Sequence, residues 1–361
     1  MNSSTSEPRR TRSSTRFSSR QRRRTDRVSA LALAGAAVLL VVLAGLSFAT
    51  GAFPVTPGEL VAAVTARLAG DAPPVSAITD TVIFAIRGPR VLGAMLVGAG
   101  LASAGAAYQS LFRNPLVSPD ILGVSSGAAL GAVLGIYLAL PVAGIEAASF
   151  CGGLAAVLAV YLIATAIRGH DPVLVLVLSG VVIGALMGAG VALVKFLADP
   201  YNDLPAITFW LLGSLAAFNR ADLWALAPPV LVGFVPLVLL RWRIDMMTMG
   251  DEEARALGVA ARPVRIAIVV AATLMTAAAV SVSGIVGWVG LLVPHLARLI
   301  VGPAFDRLLP MAALLGASFL LAVDTLARST GVIELPLGVL TAVIGTPVFL
   351  WLLAVSRRGW A

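Results

Sequence analysis

Nine stretches of this chain run for 16 to 31 residues without a charged side chain, and they decide what it folds into. They are Val28–Gly58, Val91–Phe112, Ile121–Ile145, Ala147–Ile167, Pro172–Val194, Leu223–Leu240, Ile266–Pro294, Leu308–Val323 and Leu335–Ser356. A helix rising 1.5 Å per residue needs about 20 apolar residues to cross about 30 Å of hydrocarbon. Ile266–Pro294 is too long for one span and carries Ser281, Ser283, Gly284 and Gly287, so it divides near Gly284–Gly287, with the second helix reaching Ile300. The expectation is an all-α, polytopic integral membrane protein of about ten helices. Only 12% of the residues are charged, against about 25% in a soluble domain.

The formal charge of +8 sits almost entirely at one end. Residues 1–27 hold nine arginines against Glu7 and Asp26. Poor in large apolar residues, this segment reads as a disordered cytoplasmic tail that touches anionic lipid, in preference to a nucleic-acid arm. The apolar run behind it is too long for a signal-peptide core, so it is retained as the first span. Residues 28–361 then form the transmembrane domain. With the tail inside, ten alternating spans leave both termini cytoplasmic. Twenty cationic residues fall on the inner side and six on the outer, as the positive-inside trend requires.

Chemistry carried by the chain itself is excluded on several counts. The lone cysteine, Cys151, lies inside a span and offers no disulfide framework. His170 and His295 have no Cys, Asp or Glu at metal-ligand spacing, so no metal site is expected. No Gly-x-x-x-x-Gly-Lys-Ser/Thr loop occurs, so the chain is no P-loop ATPase. Ion-coupled carriers place costly ionisable groups at mid-membrane. Here the span interiors lack them, and Lys195 and Asp324 near outer ends read as snorkelling residues. The driving force is expected from outside the chain.

Three clusters remain. In the polar inner loop 241–265, the run Thr248 to Gly258 reads as a short capped helix. Asp251, Glu252 and Glu253 occupy its first turn, Ala254 and Arg255 precede Leu257, and Gly258, after Gly250 at the other end, supplies the stop. Two turns cannot span a membrane, so this is either a docking element for a cytoplasmic partner or a surface helix. Gly180, Gly184 and Gly188 make a four-residue stripe on one span, and Gly127, Gly131 and Gly135 on another. Such stripes serve close helix packing or line a pathway. Finally Arg87, Arg90 and Arg328 lie at the outer boundary against the charge trend, so they either recognise carboxylates of a partner or anchor to headgroups. A faint symmetry relates Ser103-x-Gly105 with Pro115 to Ser283-Gly284 with Pro294.

At these residues the chain resembles the FecCD permeases, membrane subunits of type II ATP-binding-cassette importers for iron–siderophore complexes, haem and cobalamin. The strings that carry the resemblance are Arg87-Gly-Pro-Arg90, Gly100-Leu-Ala-Ser-Ala-Gly105 with Gln109, and Arg113-Asn114-Pro115-Leu116. Others are Trp210-Leu-Leu-Gly-Ser214, Gly290-Leu-Leu-Val-Pro294-His295-Leu-Ala-Arg298, Asp324 with Arg328, and Glu334-Leu-Pro336-Leu-Gly338. The resemblance implies a non-catalytic channel subunit in the inner membrane that pairs with a second copy or a close homologue. It implies two cytoplasmic ATPase subunits, which use ATP and Mg²⁺, docked on a coupling helix at about Asp251–Leu257. It also implies an outer substrate-binding protein whose carboxylates meet Arg87, Arg90 and Arg328, with Gly180, Gly184 and Gly188 on the pathway. This chain's own cofactor set is then empty. A ferric siderophore is the expected cargo, haem or cobalamin the alternative, and an ion-coupled secondary carrier the rival of another class.

Overall fold

The computed structural model describes residues 13–51, 53–71, 74–167, 172–330 and 333–356. Arg168, His170 and the segment 1–12 therefore lie outside the described residues. Fifteen α-helices follow in order, with no strand among the described residues. The chain opens with α1 (Ser13–Ala49), α2 (Pro57–Ala69), α3 (Ala77–Thr81) and α4 (Gly88–Leu111). A π-helical turn, Val82–Arg87, joins α3 to α4. Next come α5 (Val124–Tyr137), α6 (Val142–Ala166), α7 (Pro172–Leu197), α8 (Asp203–Leu212) and α9 (Arg220–Leu239). The remainder is α10 (Arg241–Met247), α11 (Asp251–Ala256), α12 (Ala261–Ser283), α13 (Val289–Val301), α14 (Phe305–Ala327) and α15 (Leu337–Ser356).

Among the described residues, seven helical segments are long and apolar enough to cross a membrane. The shorter apolar helices α5, α13 and α15 fall on the other three predicted spans. The predicted division of Ile266–Pro294 also holds, because α12 stops at Gly284 in a positive-φ conformation and Trp288, also at positive φ, precedes α13.

Burial orders the bundle. About 78% of the apolar window of α4 and 72% of that of α12 are buried, against 11% for α1, so α4 and α12 are central and α1 peripheral. Small residues make this packing feasible. A Cβ on Gly98 of α4 would stand 2.2 Å from the Gly316 carbonyl oxygen of α14, and one on Gly316 would stand 2.3 Å from the Gly98 oxygen. The two backbones touch, the arrangement by which membrane helices gain contact without hydrophobic drive. The Gly127/Gly131/Gly135 stripe is settled the same way, since it meets Gly152, Ala148 and Ile145 of α6.

Three local features go beyond the expectations. The helix α1 begins at Ser13, inside the Arg-rich segment. Arg, Ser and Thr without Pro or Gly extend a helix already nucleated by the adjoining span. Between the first two predicted spans lie α2 and α3. Thr56 caps α2 in a reciprocal box with Glu59, Pro57 takes its first position and Gly70 ends it in the left-handed region. The apolar run Ile121–Ile145 hides a turn, because α5 ends at Tyr137 and α6 begins after Pro141, with Ala139 at positive φ.

Candidate functional site

The two ends of α4, a helix of 24 residues, define two opposite faces of the bundle. Arg90 lies in the first turn of α4, and Arg113, just past its last turn, lies beside Gly250 before α11. Each face carries one of the predicted clusters.

On the Arg90 face the three outer arginines are committed within the chain. Arg90 donates from Nε and Nη2 to Asp324 Oδ1 at 3.1 and 2.9 Å. It also donates from Nη1 and Nη2 to Glu334 at 2.9 and 2.7 Å. The result is a doubly bidentate guanidinium between the last turn of α14 and the segment leading to α15. Asp324 is 0% exposed, so it is no snorkelling residue. Arg328 stands 3.7 Å from its other oxygen. Arg87, 6% exposed, donates to the carbonyls of Phe48 and Phe53 at 2.6 and 2.5 Å. Arg328 donates to the Thr50 carbonyl at 2.7 Å and to the Ser47 carbonyl and hydroxyl. The Ser47, Phe48 and Thr50 carbonyls belong to the end of α1, whose last turn has no partners of its own and carries the negative end of the helix dipole, while Phe53 lies just beyond it. Arg87 and Arg328 cap it. Gly51 lets them converge, for its Cβ would stand 2.6 Å from Arg87 Nη2 and 3.1 Å from Arg328 Nη1. Within the chain these three arginines form a buried knot joining α1, α4 and α14, an arrangement not foreseen from the sequence. Sequence reading missed it because Arg90 and its two carboxylates are 234 and 244 residues apart.

On the opposite face α10 and α11 form a hairpin. The expected short helix is present as α11, with its acidic first turn, Arg255 in the last, and Gly258 left-handed at φ 81° while Val259 N–H bonds back to the Ala254 carbonyl. Gly250 precedes it without a side-chain cap, and α10 is an additional helix within the predicted loop. Two anchors mount the hairpin. Arg265 of α12 donates to both Asp251 oxygens, at 2.9 and 2.7 Å. Asp245 of α10 accepts from Phe305 N–H at 2.7 Å and so caps α14. Burial raises the Asp245 carboxyl above the usual range, with the Phe305 bond pulling the other way. Ala254 is buried against the bundle while Glu252, Glu253, Arg255 and Leu257 face outward. Leu257 is 51% and nearby Met249 60% exposed, an apolar edge on an otherwise charged helix.

The remaining motif positions hold the frame. Gln109 donates from Nε2 to the carbonyls of Leu291 and Val117, tying α4 to α13 beside Pro294. Asn114 accepts from Leu116 N–H across Pro115 in a side-chain turn. His295 is buried with Nδ1 unbonded, and Arg298 has Nε and Nη2 unbonded, among the described residues. Pro336 opens α15, where Leu337 N–H bonds to the Gly213 carbonyl. The α7 stripe divides along its length. A Cβ on Gly180 would stand 2.1 Å from the Ile121 carbonyl oxygen, one on Gly184 would stand 3.7 Å from Ser126 Oγ, and one on Gly188 would meet open space. Only its far end is free to face a pathway.

Known proteins share this architecture. The model of the FecCD transport family matches residues 39–355. The molybdate import system permease MolB of Haemophilus influenzae is 36% identical over 327 residues, covering 91% of this chain and 96% of that one. An iron chelatin transport system permease of Helicobacter pylori is 43% identical over 276 residues, covering 76% and 83%. A solved metal-chelate type ABC transporter in an inward-facing conformation superposes with TM-score 0.80 at 36% identity, covering 89% of this chain and 98% of that one.

Proposed function

This chain belongs to the FecCD transport family, and from that premise we propose that it is the channel subunit of an ATP-driven importer for a ferric chelate. The observation that carries the reading is the α10–α11 hairpin. It is anchored to α12 by Asp251–Arg265 and to α14 by Asp245–Phe305, yet turns Glu252, Arg255 and Leu257 outward. A short helix so mounted moves with two spans at once. Force applied to its exposed side by a cytoplasmic ATPase reaches the bundle without being absorbed by a loose loop. In this reading the α11 face is cytoplasmic, two ATPase subunits consume ATP and Mg²⁺ there, and both termini are inside.

The Arg90 face would then receive a substrate-binding protein from outside. Glu334 is the accessible member of the knot, its side chain 35% exposed. Incoming carboxylates would compete with it for Arg90, while Arg87 and Arg328 hold the platform in shape. A second permease copy would pack along α7, where Leu178, Val182 and Leu186 form an exposed apolar row and Gly188 opens beside them.

The ferric cargo rests on the iron chelatin relative, 43% identical over 276 residues, and a cobalamin import permease of Halobacterium salinarum, with the same identity over the same length, makes cobalamin the alternative. The test is uptake by vesicles holding the assembled complex, offered labelled ferric chelate, haem, cobalamin and molybdate with their binding proteins. Ferric chelate should accumulate above the others. Preferential accumulation of any other cargo would replace the iron assignment while leaving the importer reading standing.

A further inference from the structure

Between α6 and α12 runs a groove whose one end borders the α10–α11 hairpin and whose length the transport reading does not use. At its α11 end a cavity of about 530 Å³ is lined by Arg255, Arg262, Arg265 and Asp251, with Tyr161 and Thr165 opposite. Three cations against one carboxylate leave it electropositive. Asp251 is already bound to Arg265, and among the described residues Arg255 and Arg262 have no ion-pair partner. Arg265 Nε is buried and unbonded. The cavity also reaches Ala261, at the N-terminus of α12, which no side chain caps and where the helix dipole favours an anion.

This polar cavity continues into an apolar one. A second cavity of about 380 Å³ is lined by Leu154, Leu158, Ile266, Val269, Val270 and Leu274, and shares Tyr161, Ile266 and Val269 with the first. The two helices are antiparallel here, for the α12 positions ascend from Arg262 to Leu274 as the α6 positions descend from Thr165 to Leu154. From Arg262 to Leu274 is a rise of about 18 Å at 1.5 Å per residue, close to half of a hydrocarbon core about 30 Å thick. A cationic head site and an apolar slot one leaflet deep match a single amphiphile.

We propose that the α6/α12 groove binds one anionic phospholipid, its phosphate against Arg262 and Arg265 and an acyl chain along Val270 and Leu274. Basic pockets between membrane helices hold such headgroups, and each nearby cation contributes roughly a fivefold gain in affinity. A free phosphate would account for the arginines but not for the slot. A zwitterionic lipid would fill the slot but not use the charge. The inference stands apart from cargo and energy source.

Native mass spectrometry of the full chain released from detergent, with phosphatidylglycerol or phosphatidylcholine added, tests it. Phosphatidylglycerol should be retained preferentially. Arg262→Gln should weaken its retention about fivefold, and Val270→Trp, at a 51% exposed position, should weaken it without altering charge. Equal retention of the two lipids, displacement of phosphatidylglycerol by inorganic phosphate, or indifference to both substitutions would each overturn the proposal.

Discussion

Asp324→Leu should destabilise the folded chain by about 3–5 kcal/mol, the usual cost of removing one partner from a buried ion pair. The carboxylate is fully buried and accepts from Arg90 while Arg328 stands nearby. Its loss leaves two guanidiniums sharing a pocket with only Glu334 to oppose them. Glu334→Gln should cost about 0–1 kcal/mol, because that side chain is partly solvated and a rim pair gains little. Denaturant titration of both variants in the same micelle measures the difference. Equal effects would show that Asp324 is no keystone. The knot also governs how docking is tested. Charge reversal at Arg87 or Arg328 uncaps α1, so lost binding in those variants would report a disturbed fold as readily as a lost contact. Glu334→Gln is the cleaner probe of that face.

Replacing Glu252–Leu257 with a Gly/Ser segment should abolish uptake to the background seen without ATP while partner ATP hydrolysis continues. Gly and Ser do not hold a two-turn helix, and the exposed Glu252, Arg255 and Leu257 are lost together. Arg265→Met tests the same element from beneath, because it frees the helix from α12 while keeping its outer surface. Its hydrolysis should likewise outrun its uptake. Unimpaired coupled transport in the Gly/Ser variant would remove the hairpin from the mechanism.

The sequence discloses spans far better than it discloses partners. Charge-free length locates nine stretches, and Gly284 supplies the tenth helix by marking the break between α12 and α13, where the chain takes a positive φ that ends a helix. The turn between α5 and α6 stays hidden because Leu138, Ala139 and Leu140 are as apolar as the helices beside them. The cap of α2 is legible in Thr56-Pro57-Gly58-Glu59, a signal overlooked beneath the apolar run that contains its first three residues. In the knot, each residue reads locally as an end-of-span charge. Only the meeting of α4 with α14, set by glycines such as Gly98 and Gly316, makes a buried network of them. The hairpin helix shows its acidic start and glycine stop in sequence, but its two anchors come from α12 and α14.

The central claim is that this chain moves cargo with energy delivered to α11 by a partner. Its most direct test is uptake of labelled ferric chelate by vesicles holding the assembled complex, with ATP inside or with an imposed proton or sodium gradient and no ATP. The account predicts accumulation with ATP alone and none with either gradient. Gradient-driven uptake by this chain without its ATPase would contradict it.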